Sequence, residues 1–334
     1  MKDKVLLPFD NNPLTIMYHY SAFAMGIIQA NAKTDITPWF CRRYTNCSFD
    51  ETYAHKFSVS LTDHWSVYDG ILLMQSISFH PDTYKKMGLD LLQLMKQMLS
   101  DQSYIYGHYN EQYIPGKDSY GIKYRSHDFL LIGYDDAAQV FHSVGYMKDR
   151  KFHCYDISYE NMLKALLTLQ ESTISLEFYS FNPNADFSAN HEATLSRLDN
   201  YLDSNNGTDI HIGKHTYGVT AIADLAEYYR NKTKNPSAFD HRYTRGLMEH
   251  KKFMLMRLQY YADIGYLKND KYLAEAKAVL SMANTVHLLG LKFVASKERN
   301  LLNRLCDMMV SLNEREKAYL PEALKEIRKN LPPQ

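Results

Sequence analysis

Cysteine is scarce: four residues (Cys41, Cys47, Cys154 and Cys306) in a chain of 334. So few thiols in a chain this long exclude a disulfide framework and suit a reducing compartment. On that reading the sequons at Asn46, Asn206 and Asn231 carry little meaning. No run of about 18 apolar residues is present, so no membrane-spanning helix is expected. "MKDKVLLPFDNN" has no apolar stretch long enough for a signal peptide, and the expectation is a soluble, cytoplasmic protein. Charge of one sign is also missing, with 38 basic against 38 acidic residues. A nucleic-acid binder would show a basic stripe, and "RRY" at 42–44 and "HKK" at 250–252 are too short to make one. There is no G-x-x-x-x-G-K-[ST] and no G-x-G-x-x-G, so no phosphate cradle and no cofactor are expected. No C-x2-C or H-E-x-x-H spacing points to zinc, although His19, Cys41, Cys47, His127 and His142 are potential ligands. No metal is expected.

What is present divides the chain in two. The first half mixes periods. "KVLLPFD", "DGILLMQSISFH", "SYIYGHY", "DFLLIGYD", "QVFHSVGYM", "KFHCYDI" and "TISLEFYSF" read as strands, with Asp135-Asp136 turning an antiparallel hairpin. "NPLTIMYHYSAFAMGIIQAN" reads as a helix capped by Asn12 with Pro13 at its first position. "DTYKKMGLDLLQLMKQMLSD" reads as an amphipathic helix, and Ser158 caps another in "SYENMLKALLTLQE". Beyond "NPNAD" nearly everything is helical, with starts marked by Asn235-Pro236 and by an Asn313…Glu316 capping box. The expected class is α+β: a domain over 1–184 with an antiparallel sheet and packed helices, then an all-α domain over 185–334.

His127 opens an apolar strand after the turn-rich "EQYIPGKDSYGIKYRS", a placement that suits a base facing a cleft. A base needs a nucleophile within hydrogen-bond reach and an orienting partner. A histidine satisfied by backbone at a strand edge is the alternative. The 27 tyrosines cluster in "SYIYGHYNEQYI" and "EYYRN", where they form core edges or line a cleft for an extended chain.

The segment 109–166 resembles the N-terminal domain of butirosin biosynthesis protein H-like proteins. The matching features are "YIPG" at 113–116, Tyr120, His127-Asp128 before an apolar strand, "GYD" at 133–135 and "ISYENM". "TDITPWF" at 34–40 is similar to an early segment of some members. The resemblance implies a papain-like fold related to bacteriocin-processing peptidases, with a cysteine at the start of the first helix and a histidine on a sheet strand. It further implies aminoacyl or acyl transfer beside peptide or polyketide assembly lines. The partners would be an acyl carrier protein or assembly-line peptide product and a small-molecule amine acceptor. No nucleic acid or membrane partner is expected, and a homodimer is possible through the helical half.

His127 matches the family histidine. The helix where cysteine is expected reads "MYHYSAFAMG", leaving His19 and Ser21 as the nearest substitutes. Ser21 is the candidate nucleophile, and Cys41 and Cys47 follow the helix instead of starting it. For the third member, Ser143 occupies the region where relatives carry Asp or Asn, and Glu111 is a possible orienter by proximity. Asp128, next to His127 on a strand, is expected to point to the opposite face. His19, Tyr113, Tyr120 and Asp128 are the candidate substrate-binding residues. A catalytically inactive relative that binds a carrier protein or peptide product is the alternative function.

Overall fold

The computed structural model describes all residues except 1, 53–55, 60–69, 81–85, 87, 89, 172, 208–213, 233–238 and 333–334, and the side chain of residue 232. The expected start at Asn235-Pro236 therefore lies outside the described residues. The chain is α+β, with an antiparallel sheet in its first half and helices in the remainder, and it divides into two compact units. Residues 1–34 and 68–186 form the first; residues 35–67 and 187–334 form the second.

The first unit is built on β1 (Lys4–Leu6) and α1 (His19–Asn31). The second then takes α2 (Thr37–Phe40), β2 (Cys47–Phe49) and β3 (Phe57–Val59). The chain returns to the first unit with β4 (Leu72–Phe79), α3 (Leu91–Ser100), β5 (Tyr104–Asn110), β6 (Ser126–Asp135), β7 (Val140–Tyr146), β8 (Phe152–Ser158), α4 (Tyr159–Leu167) and β9 (Ile174–Phe181). The order in the sheet is β4-β9-β5-β6-β7-β8, and β1 pairs with the end of β6 beyond β5. Every pair is antiparallel. Side chains alternate across this sheet. Tyr106 and Phe152 meet Phe23 of α1 on one face. Tyr134 and Phe141 meet Lys96 of α3 and Tyr159 of α4 on the other.

Two local features place the site. First, α1 begins at His19, not at Asn12; residues 12–18 form no helix, with the Asn12 N–H on Asp10 and the Leu14 N–H on the Gln29 side chain. His19 is thereby the first helical residue, and Ser21 lies in the first turn. Second, β7 leaves β6 early. Its pairing reaches only Leu130–Val144, while β5 stays with β6 down to Asn110–Ser126. The β7-side edge of β6 is therefore open at residues 127–128.

The second unit completes with α5 (His191–Leu202), β10 (Thr216–Tyr217), α6 (Gly218–Lys232), α7 (His241–Asp263), α8 (Asp270–Ser296) and α9 (Arg299–Asn330). The described residues between 35 and 59, expected with the sheet domain, pack on these helices instead. Phe40 meets Phe253 edge to face and Tyr44 lies tilted against it, and the buried Arg257 guanidinium donates to the carbonyls of Cys41 and Arg43. The Asn313…Glu316 pattern marks no helix start, since α9 runs unbroken for 32 residues through Pro321. Both side chains are committed to the interior: Asn313 donates to the Val219 carbonyl, and Glu316 accepts from Lys251 and Tyr201. One described helix, α8, is long and apolar enough to cross a membrane, with a window mean hydropathy of 1.4. Its Leu273, Ala276, Val279, Ala283, Val286 and Phe293 are buried, while Leu288 and Leu291 are exposed.

Candidate functional site

At the open edge of β6 two histidines converge on one carboxylate. His127 Nδ1 lies 2.7 Å from Asp128 Oδ1, and His19 Nδ1 lies 2.8 Å from the same oxygen. The imidazole rings meet edge to face with centroids 4.8 Å apart. His127 pairs with Tyr109 and Asp128 with His108, so alternation assigns them to opposite faces, as expected from sequence. That expectation fails for the side-chain atoms. With no β7 backbone beside residues 127–128, the His127 ring turns round the edge onto its neighbour's carboxylate.

The protons in this cluster can be assigned from its partners. The Tyr146 N–H donates to His19 Nε2 across 3.2 Å, so Nε2 carries the lone pair and Nδ1 carries the hydrogen given to Asp128. Gly145 precedes Tyr146 in an unusual backbone conformation. Its φ of +152° is a conformation that side chains rarely adopt, although a Cβ there would meet His19 Nε2 only in ordinary contact at 3.6 Å. His19 and Tyr146 are also stacked, with centroids 5.5 Å apart.

Burial lowers the proton affinity of His19, and the hydrogen bond and charge of Asp128 do not fully offset it. Its place at the positive end of α1 acts in the same direction. Burial also works against protonation of His127, but there the hydrogen bond to Asp128, its charge and that of Glu111 prevail and raise the pKa. Burial alone would raise the Asp128 pKa, yet hydrogen bonds from His127 and His19 hold it well below the usual carboxylate range. The site is thus an ionised carboxylate between a histidine whose pKa is lowered and one whose pKa is raised. His127 is 30% exposed at its side chain, and with Nδ1 engaged by Asp128 its Nε2 is the atom left to exchange a proton with a substrate.

His19, His127 and Asp128 also form, among the described residues, a group whose donor atoms lie within 4.8 Å of one another, as a metal site requires. The residues do not fit a metal held by the atoms that face each other. A cation on His19 Nδ1 would move the proton to Nε2, where it would confront the Tyr146 N–H.

The other sequence candidates fall around or away from this centre. Glu111 is buried with Oε2 3.5 Å from Arg125 Nε; it contributes charge, but the hydrogen bond to His127 Nδ1 belongs to Asp128. Ser21 is buried two residues beyond His19, about 200° round the helix, and among the described residues no hydrogen bond joins it to His127. Ser143 is spent on the Leu130 carbonyl at 2.9 Å. Tyr113 is partly exposed and Tyr120 is 48% exposed, neither joined to His127 by a hydrogen bond or ring contact among the described residues. Cys41 and Cys47 belong to the second unit, where burial pushes both thiols up to about 12.

Two neighbours escaped sequence reading. Lys117, 6% exposed, donates from Nζ to the Tyr146 carbonyl at 2.6 Å and lies over the rings of Tyr155 and Tyr109. Burial, only partly offset by Glu111 and Asp128, brings its pKa down to about 8. Tyr146 supplies the N–H to His19, and its hydroxyl donates to the Ile16 carbonyl at 2.7 Å. A lysine in a turn-rich loop and a tyrosine at a strand end carry no spacing signal.

No protein-family model matches the chain, and no curated protein is similar to it at a significant level.

Proposed function

We propose that this protein transfers an acyl or aminoacyl group from a thioester to an amine, with His127 as general base. The observation that carries the reading is the Asp128 carboxylate on His127 Nδ1, which fixes the tautomer and strengthens Nε2 as a proton acceptor. A thioester is already activated. His127 Nε2 takes a proton from the attacking amine as the N–C bond forms, and the departing thiolate later recovers a proton. The acceptor amine is then the nucleophile, which agrees with a histidine, His19, standing at the helix start where the family resemblance calls for cysteine. The fold in this reading is papain-like, the setting a cytoplasmic peptide or polyketide natural-product pathway, and the donor an acyl carrier protein or assembly-line product.

A second reading is favoured by that same histidine. A papain-like relative that has lost its thiol would bind the carrier protein or peptide product without turning it over. Aminolysis of an aminoacyl-pantetheine thioester by a small primary amine separates the two. Wild type should accelerate it, and His127→Ala, folded as judged by circular dichroism, should lose about 10²- to 10⁴-fold. Equal rates in the two proteins would remove His127 as base. Carrier binding without acceleration in either would establish the second reading.

A further inference from the structure

The cluster of His19, Asp128 and His127 needs His19 to be neutral and in one tautomer, which the Asp128 carboxylate on Nδ1 and the Tyr146 backbone N–H on Nε2 select together. A backbone donor cannot change its role, but it can move. Tyr146 ends β7 where pairing with β6 has already ceased, so the sheet does not hold it on that side. On its other side it pairs with Phe152 of β8, and on the open side its N–H meets His19 and its carbonyl meets Lys117, while its hydroxyl donates to the Ile16 carbonyl.

We infer that Lys117 is a positioning residue: by holding the Tyr146 carbonyl it aims the Tyr146 N–H at His19 Nε2 and confines His19 to the Nδ1–H form that supplies Asp128. A buried ammonium is costly unless its donors are used, so a lysine placed here for packing alone would be a poor choice. The loop carrying it is fixed independently. Lys148 N–H donates to the Gly116 carbonyl at 2.9 Å, and Tyr120 N–H to the Lys117 carbonyl at 3.2 Å. Lys117 therefore ties the loop after β5 to the end of β7, and through it to α1.

The charge acts in the same sense as the hydrogen bond. The groups facing Lys117 are Glu111, Asp128, Arg125 and Asp118; those facing His19 are Asp128, His127 and Lys117. A second proton on His19 would have to displace the Tyr146 N–H and would set a third cation beside Lys117 and protonated His127. With His19 kept neutral, the negative charge of Asp128 is left to His127. The inference deepens the proposed function, and only its catalytic consequence rests on that reading.

The test is long-range proton–nitrogen correlation NMR on the full-length, histidine-labelled protein. In wild type the neutral His19 should show one tautomer, with Nδ1 protonated and Nε2 not, and should titrate below an ordinary histidine. In Lys117→Met the single form should give way to a titrating mixture, and the His127 midpoint should fall. Lys117→Gln, which can still donate to the Tyr146 carbonyl, should retain the Nδ1–H form. A wild-type His19 protonated at Nε2 would overturn the inference, and that spectrum decides even if Lys117→Met fails to fold. So would a folded Lys117→Met protein in which neither the His19 tautomer nor the His127 midpoint changes. None of these outcomes depends on turnover: loss of thioester aminolysis in His127→Ala with His19 unchanged concerns the reaction, not Lys117.

Discussion

Replacing Asp128 by Asn keeps an acceptor oxygen between the two imidazoles and removes its charge. Two bonds from histidine Nδ1, at 2.7 Å and 2.8 Å, then fall from charge-assisted to neutral. Bonds to charged groups contribute about 1.5–3 kcal/mol and neutral ones about 0.5–1.5, so the two bonds together lose about 2–3 kcal/mol. The substituted amide also escapes the burial cost of a carboxylate, the largest single influence on Asp128 and opposed to its ionisation. The net loss of stability should be about 1–2 kcal/mol near neutral pH. Its pH dependence is the sharper test. Asp128 has a depressed pKa, so its contribution is present above the unfolded carboxylate value and is lost only as pH falls through the lower folded one. His127 has a raised pKa, so its contribution is full below the unfolded histidine value and is lost as pH rises through the folded one. The difference between wild type and Asp128→Asn should therefore be largest at mildly acidic pH and shrink above the His127 midpoint. The sheet unit has no tryptophan, so the assay is urea unfolding followed by NMR signals of β5 and β6 amides. A difference that stays constant from mildly acidic to alkaline pH would refute the coupling of Asp128 to His127.

The thiols offer a simpler contrast. At pH 8 in native protein, iodoacetamide should label Cys154, which is exposed, and leave Cys41 and Cys47 unmodified, since both are buried with pKa values pushed up to about 12; mass mapping reads the sites. In the helical unit, Lys251→Met leaves the buried Glu316 carboxylate without its cation and should cost about 3–5 kcal/mol. Adding Glu316→Leu should recover most of that loss, with fluorescence of the buried Trp39 as the probe.

The parts legible in the sequence were those with a period. Alternating runs gave the strands from Tyr104 to Phe181, and apolar stripes gave the long helices from His191 onward. Capping chemistry was legible at Ser158, whose hydroxyl does accept from the Asn161 N–H at 3.2 Å. It misled at Asn12, where residues 12–18 form no helix, and at Asn313, whose side chain is taken by the Val219 carbonyl inside α9. The placing of the described residues between 35 and 59 with the helical unit was not legible. It depends on contacts more than two hundred positions apart, such as Phe40 on Phe253 and Arg257 on Cys41.

At the site, His127 and Asp128 were found as a pair, but their relation was misjudged from strand alternation. That rule assumes neighbours on both edges, and β7 stops at Val144 opposite Leu130. His19 became central only once the helix start moved to it. Lys117 and Tyr146 reach the cluster through a loop and a strand end, where distance along the chain says nothing of distance in space.

The central claim is that Asp128 makes His127 a stronger base than an ordinary histidine while His19 stays neutral. Its most direct measurement is the pH titration of the His127 ring nitrogens by NMR in the wild-type protein. The predicted result is a single titration at Nε2, with Nδ1 protonated throughout and a midpoint above about 6.5, the ordinary histidine value. A midpoint at or below that value, or proton loss from Nδ1 in place of Nε2, would contradict it.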